Sequence, residues 1–441
     1  MSVRPDVIST TTSRPAQRKI LLAASIGQFV EFYDFAVYGF SIVIIAAFYF
    51  PSGDPVIGVL SAFAVYGVAF VVRPLGGLFF GSLGDRIGRK TILTISLLTI
   101  GVATTLIGFL PTYEQVGVLA PILLVALRLV QGFSAGGEAV GAPSFVLEHA
   151  PRERRASWIN VTIATTALSS VAAALVVAAV SGAMSDAAFQ EWGWRIPFFL
   201  AAPMSIIGLY IRSKTEETPA FKELEAMAAD RPAPVKAAFA SQKRRMLQVF
   251  LIMSLPALGY YVLVGYFVTY MQSVIHIDRG QALISNSVAL LGYAVMMYLG
   301  GRLSDRVGRK KMMIAGAIGM VLLAWPAFLL VGSGEFGLAI VGQLLLSVPI
   351  CVFGGGSFTF YVELFPTATR LTGAAVSYNL SYGLFGGTGP LIATALVAAS
   401  GSAISPAFYL IAIGVVAGIT ALFVPETRGR DLMNAVTDDA R

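Results

Sequence analysis

The sequence predicts an all-α polytopic membrane protein, with twelve transmembrane helices arranged as two pseudo-symmetric six-helix bundles. Three observations carry this prediction. Hydrophobic residues make up 56% of the chain and charged residues only 12%, against about 25% charged in soluble domains. A soluble fold of this length has no means of covering that much apolar surface. Apolar runs of about 20 residues, the length that crosses a hydrocarbon core, recur along the whole chain. Finally, the decapeptide GSLGDRIGRK (Gly81 to Lys90) returns as GRLSDRVGRK (Gly301 to Lys310), with eight of ten positions identical or nearly so. Asp305 follows Asp85 by 220 residues in a chain of 441, so the repeat marks a duplicated half.

Taken in order, residues 1–19 are a polar, basic tail carrying Arg4, Arg14, Arg18 and Lys19. The apolar stretch behind it is too long for a cleavable signal and holds two acids, Glu31 and Asp34, so it reads as a first span. Spans 1 to 6 fall at 20–50, 57–82, 90–110, 117–147, 157–182 and 196–212, and form the first bundle (20–212). The long polar segment 213–245, with Lys214, Lys222, Lys236, Lys243, Arg244 and Arg245, is expected to be a cytoplasmic linker. Spans 7 to 12 fall at 246–274, 283–301, 311–332, 336–362, 370–398 and 405–424, and form the second bundle (246–424). Residues 425–441 are a second cytoplasmic tail.

Charge fixes the expected orientation. Of 31 Lys and Arg residues, Arg195 and Arg279 fall on one side and Arg73 and Arg128 inside spans. The other 27 share the opposite side with both termini and the linker. Basic loops stay cytoplasmic, so both termini are expected in the cytoplasm and the net charge of +7 is a topology signal rather than a nucleic-acid surface. Trp192 and Trp194 beside Arg195 suit the outer headgroup zone. One cysteine (Cys351) and two separated histidines (His149 and His276) leave no disulfide and no metal cluster to propose. No phosphate-binding loop is present, so neither a cofactor nor ATP coupling is expected.

The decapeptides lie between spans 2 and 3 and between spans 8 and 9. A second duplication accompanies them: Glu148-His-Ala-Pro151 leads to Arg155, and Glu363-Leu-Phe-Pro366 leads to Arg370, each E-x-x-P-x-x-x-R at the end of spans 4 and 10. A weaker echo closes each half, Glu217-Thr218-Pro219 and Pro425-Glu426-Thr427-Arg428-Gly429.

These residues resemble the major facilitator superfamily. The decapeptide is similar to its loop 2–3 signature and RLVQG (Arg128 to Gly132) to its fourth-helix motif. Narrower strings resemble the metabolite:proton symporter family within it: GQFVEFYDFAVYGF (Gly27 to Phe40), RPLGG (Arg73 to Gly77), RLVQGFSAGGE (Arg128 to Glu138) and EWGWRIPF (Glu191 to Phe198), with ELFPTATR and the PETRG tail in the second half. The resemblance implies alternating-access transport in a bacterial inner membrane. It also implies that the paired signatures form cytoplasmic ion-pair gates. Carried over, Asp85, Arg89, Glu148 and Arg155 lock one half, and Asp305, Arg309, Glu363 and Arg370 the other.

An ionisable group inside a bilayer is costly and marks function by default. The first half has five such groups, Glu31, Asp34, Arg73, Arg128 and Glu138; the spans of the second have almost none away from their ends. Asp34 lies about 21 Å along span 1 and Arg128 about 16 Å into span 4 from the other side, at 1.5 Å per residue. Both therefore reach the middle of the membrane. Glu31, Asp34 and Tyr38 share one face of span 1, and Arg128, Gln131 and Glu138 one face of span 4. Facing stripes of opposite sign predict an Asp34–Arg128 contact that opens and closes with protonation, with Asp34 and Glu31 as proton sites. Arg128 and Arg73 are expected to hold a substrate carboxylate, with Tyr38, Gln131, Tyr261, Tyr378 and Asn379 lining the path.

The expected function is proton-coupled symport of a small carboxylate-bearing metabolite, an organic acid or a zwitterion such as proline or betaine. An uncoupled or exchange carrier of the same fold is the alternative. An enzyme would want nucleophile, base or metal ligands gathered at one depth, and the two histidines and one cysteine are not so placed. The partners expected are a small solute, the proton and the bilayer, with the protein a monomer and no nucleic acid.

Overall fold

The computed structural model describes residues 14–87, 89–136, 141–213, 242–365 and 370–430. Residues 1–13 and 431–441, most of the linker and Glu138 lie outside them, as do the side chains of Asp85, Arg89, Glu148 and Arg370. Every described element is helical, and helices fall on all twelve predicted runs.

Span 1 is Arg14–Phe40 followed by Ile42–Tyr49, bent by 62° at Ser41. Span 2 starts at Pro55, where the Asp54 carboxylate accepts from the Val56 N–H at 2.9 Å; proline suits a first helical position because its missing N–H has no partner there. A break at Val72 separates Pro55–Val71 from Arg73–Ile87. Spans 3 to 6 are Arg89–Phe109, Leu119–Ala135 with Gly141–His149, Arg155–Ala183, and Ile196–Phe199 with Ala201–Ser213. Among the described residues, eight helices are long and apolar enough to cross a membrane unaided, and the bent first pair makes a ninth. The others are interrupted or short, which is tolerated where neighbouring helices cover the backbone.

In the second half, spans 8, 9, 10 and 12 are single helices: Arg279–Val307, Arg309–Val331, Phe336–Glu363 and Ser405–Leu422. Spans 7 and 11 each contain a π-helical turn, Val262–Tyr266 and Tyr382–Gly387. The wider turn frees backbone carbonyls, and Asn286 of span 8 meets one of them, its amide donating to the Leu263 carbonyl at 2.7 Å and to Gln343 Oε1 at 2.8 Å. The Gly354-Gly355-Gly356 run lies within one continuous helix and lets span 10 approach span 8, where a Cβ on Gly355 would lie 2.6 Å from the Gly300 backbone.

Close helix approach also explains the glycines of RPLGG and RLVQG. A Cβ on Gly76 would lie 1.8 Å from the Phe133 carbonyl, and one on Gly132 1.8 Å from that of Ala69. Spans 2 and 4 therefore touch backbone to backbone, as small residues allow in membranes, and this contact sets the depth of Arg73 and Arg128.

The two halves meet at both ends. At the end carrying the decapeptides, spans 5 and 8 pack so closely that a Cβ on Gly301 would lie 2.7 Å from the Ala156 carbonyl. At the opposite end the Arg279 guanidinium sits 4.8 Å from the Phe189 ring, and Phe63 of span 2 faces Tyr266 of span 7 at 6.5 Å. The halves are therefore in contact at both ends.

Candidate functional site

Inside the first bundle the buried ion pair joins Arg73 to Glu31. Arg73 Nη2 donates to Glu31 Oε1 at 3.2 Å, and each side chain is 1% exposed. This corrects the expected Asp34–Arg128 contact. Asp34 is also 1% exposed, but neither of its carboxylate oxygens makes a hydrogen bond to the described residues. Arg128, Glu31 and the Thr104 hydroxyl lie around it.

Arg128 is held by rings and by one amide. Its guanidinium lies 3.9 Å from the Tyr38 centroid, with Phe35 at 5.1 Å and Tyr66 at 5.3 Å. Nη1 donates to Gln131 Oε1 at 2.9 Å, and Gln131 in turn donates to Thr104 Oγ1 at 2.5 Å. Nε and Nη2 make no hydrogen bond to the described residues. Arg73 lies over the same Phe35 at 4.5 Å and over Phe70 at 4.4 Å. Two guanidinium groups thus share one ring, each attracted to its π-face; Arg73 is ion-paired to Glu31, and Arg128 has the Asp34 carboxylate beside it. Tyr38 Oη donates away from this group, to the Ala62 carbonyl at 3.2 Å.

A second charged group closes the end that carries the decapeptides. Arg309 forks onto Glu363 through Nε at 3.1 Å and Nη2 at 3.2 Å, and its Nη1 donates to Asp305 at 3.2 Å. Such bidentate pairs are strong and orientation-specific. Asp305 also crosses to the other half. It accepts from the Ala156 N–H at 3.0 Å, the Ser157 N–H at 2.8 Å and the Ser157 hydroxyl at 2.6 Å. A carboxylate there caps the first turn of span 5 and meets the positive end of its dipole. Arg155 reaches Glu363 at 4.0 Å and donates to the Arg430 carbonyl at 3.0 Å. Arg155, expected in the first-half lock, thus joins Asp305, Arg309 and Glu363 in a cluster that ties the halves together; Asp85, Arg89, Glu148 and Arg370 lie outside the described side chains.

The PETRG segment, legible in the sequence only as an echo, belongs to this cluster. Glu426 accepts from the N–H groups of Arg309 at 2.9 Å and Lys310 at 3.0 Å, capping span 9. Thr427 donates its hydroxyl to Glu363 at 2.7 Å. Gly308, with φ of 107°, turns the chain into that cap.

Between the halves lies a narrow cleft with a cavity volume of about 20 Å³, room for about one water. Of the expected substrate residues only Tyr378 lines it. Arg128, Arg73, Tyr38, Gln131, Tyr261 and Asn379 do not. Asn379 instead packs where spans 2 and 11 meet, 3.3 Å from where a Cβ on Gly77 would sit. The walls come from Phe32, Tyr260, Tyr293, Tyr361 and Tyr382, with the polar groups Gln28 and Thr166. Phe32, Gln28 and Tyr361 were not singled out from the sequence, because an aromatic residue in a span reads equally well as packing. Arg73 stands behind this wall, within electrostatic reach of Tyr261 and Tyr378.

Residues 20–231 match the model of the "Sugar (and other) transporter" family and residues 249–437 that of the major facilitator superfamily. The chain is 37% identical to the glycine betaine/proline/ectoine/pipecolic acid transporter OusA of Dickeya dadantii, over 95% of this chain and 85% of that one. It is 36% identical to the proline/betaine transporter of Escherichia coli over the same shares, and 33% identical to the ectoine/proline transporter ProP of Corynebacterium glutamicum, over 98% and 87%. Among solved structures, the proton:xylose symporter XylE in complex with 6-bromo-6-deoxy-D-glucose superimposes with a TM-score of 0.74 at 18% identity, covering 95% of this chain and 98% of that one. The partially occluded inward-open form of XylE from E. coli gives 0.73, covering 94% and 99%. At that identity the likeness speaks for the fold. The chain belongs to the major facilitator superfamily of transporters, in the family that these proline and betaine carriers represent.

Proposed function

We propose that the protein is a proton-coupled symporter of a small carboxylate-bearing solute, a zwitterion of the proline or betaine kind, working by alternating access. The observation that carries the coupling is Asp34. Its carboxylate is buried among span 1, span 3 and span 4 side chains, beside Arg128 and the Thr104 hydroxyl, without a hydrogen bond of normal geometry to the described residues. Negative charge there costs free energy that a bound proton removes. Proton loading and release at Asp34 would change the field at Arg128, whose Nε and Nη2 are unused. Glu31 and Arg73 form the neighbouring pair that a substrate carboxylate would perturb.

In this reading the basic end is cytoplasmic, both termini lie inside, and the membrane is the bacterial inner membrane. The Asp305–Arg309–Glu363–Arg155 cluster, with Arg370 and the first-half residues Asp85, Arg89 and Glu148, is the cytoplasmic gate. It must break for the halves to part on that side. The names of the relatives support the solute class, and XylE is itself described as a proton symporter.

Uptake of proline and glycine betaine into proteoliposomes under an imposed pH gradient tests the proposal. Accumulation should follow an inward proton gradient, and Asp34→Asn should abolish that dependence while leaving solute exchange. Accumulation in the variant that still tracks the gradient would assign the coupling elsewhere.

A further inference from the structure

We infer that the cavity at the seam between spans 5 and 8 binds the headgroup phosphate of an anionic phospholipid, and that the bound lipid bridges the two halves at the end carrying the decapeptides.

The cavity has a volume of about 550 Å³. Its first-half wall includes Glu153, Arg154, Ser157 and Trp158, and its second-half wall is Tyr298, Arg302, Asp305 and Arg306. Among the described residues the guanidinium groups of Arg154 and Arg306 form no hydrogen bond or ion pair, and that of Arg302 meets only the Tyr298 ring, at 5.8 Å. Asp305 belongs to the cluster in which Arg309 and Arg155 balance Asp305 and Glu363. Of the cavity's remaining charges, three arginines face Glu153 alone, an excess of two positive charges. Arg302 is also foreign to the repeat, since the first decapeptide has Ser82 in its place. Closing the halves therefore leaves these arginines unused, and an arginine fork matches a phosphate through two parallel N–H groups.

The surroundings select a lipid over a free anion. Val161, which lines the cavity, continues along span 5 as the exposed Leu168 and Leu175, one residue every second turn. Tyr298 and Arg302 continue along the same face of span 8 as the exposed Val295 and Leu291. Both apolar stripes run from the cavity toward the middle of the membrane and give acyl chains a place to lie. Trp158 and Tyr298 stand between the charges and the stripes, at the level where such rings meet headgroups. Basic pockets between spans attract anionic headgroups in this way. Arg154 belongs to one half and Arg302 and Arg306 to the other. A lipid held by both walls binds best while the halves meet at this end, and its binding favours that state.

Quenching of Trp158 by acyl-brominated lipid tests this on the full chain in phosphatidylcholine nanodiscs, with Trp158→Phe supplying the background of the other tryptophans. Brominated phosphatidylglycerol should half-quench Trp158 at a mole fraction about tenfold below brominated phosphatidylcholine. Arg154→Ala should raise that fraction about fivefold, the worth of one basic residue at a lipid surface, and Arg302→Ala with Arg306→Ala should raise it about tenfold or more. Arg244→Ala with Lys311→Ala, exposed basic residues outside the cavity, should quench like the parent. Equal quenching by the two lipids would overturn the site, and so would an Arg244/Lys311 pair that weakens it as much as the Arg302/Arg306 pair does, which would reduce the effect to general surface attraction. Parent-like quenching in Arg154→Ala would overturn the bridge. Reversal of the quenching by millimolar inorganic phosphate would overturn the lipid and leave a site for free anions.

Discussion

Asp305 of the second half accepts from both the N–H and the hydroxyl of Ser157 in the first, at 2.8 and 2.6 Å. One carboxylate thus closes the repeated decapeptide onto the start of a helix from the other bundle. Replacing it by alanine removes a charged cap, worth about 1–2 kcal/mol, from the closed end only. Asp305→Ala should therefore shift the population toward opening at that end by about five- to thirtyfold. A single cysteine placed near Gly301 should label faster with a membrane-impermeant maleimide from the basic side. Unchanged labelling would mean that the cap does not hold the halves together.

The Glu31–Arg73 pair should behave as a unit. Removing one partner of a buried pair leaves an uncompensated charge and costs about 3–5 kcal/mol, whereas removing both is often near neutral. Glu31→Gln should lower the thermal midpoint more than Glu31→Gln combined with Arg73→Met. Additive losses in unfolding scans would show that the two do not depend on each other.

How much of this was legible in the sequence differs by scale. The spans were legible because burial in lipid demands about 20 apolar residues wherever the chain crosses, and the repeat announced the two halves. The partner of each buried charge was not. Glu31 and Asp34 are three residues apart on one face, and depth arithmetic that is uncertain by a helical turn is unable to choose between them. The choice is made by the glycine contact of spans 2 and 4, which brings Arg73 to Glu31. The gate misled for another reason. The motif assigns Arg155 to the first half, yet Arg155 opens the helix that packs against span 8, so it reaches Glu363 of the second half. The cleft was least legible of all, since Tyr361 and Phe32 differ from packing aromatics only in what lies across from them.

Gly308 and Gly429 both have positive φ, 107° and 76°, but only Gly308 is crowded: a Cβ there would lie 2.5 Å from Glu426 Oε2, against open space at Gly429. Gly429→Ala pays only the left-handed backbone cost of about 1–2 kcal/mol. Gly308→Ala pays that and displaces the carboxylate that caps span 9, about 1 kcal/mol more. Purified Gly308→Ala should melt several degrees below Gly429→Ala, and adding Glu426→Ala should cost it little further. A full additional loss on adding Glu426→Ala would show that the cap survives the methyl group.

Arg128 places a flat cation on Tyr38 at 3.9 Å, bonds Gln131 through one nitrogen, and holds two more nitrogens without a partner among the described residues. Lysine keeps the charge and the length but not the planar fork, so it has to give up either the ring or the amide. Arg128→Lys should fold and reach the membrane like the parent, since no buried acid loses an ion pair by the change. Its uptake should still fall by tenfold or more, because a carboxylate that docks on two parallel N–H groups in the parent meets a single point charge in the variant. The loss should appear in the apparent affinity for solute, with the pH dependence of uptake retained through Asp34. Parent-like affinity in Arg128→Lys would assign the carboxylate to Arg73, whose Nε makes no hydrogen bond to the described residues, and leave Arg128 as the counter-charge of the proton site alone.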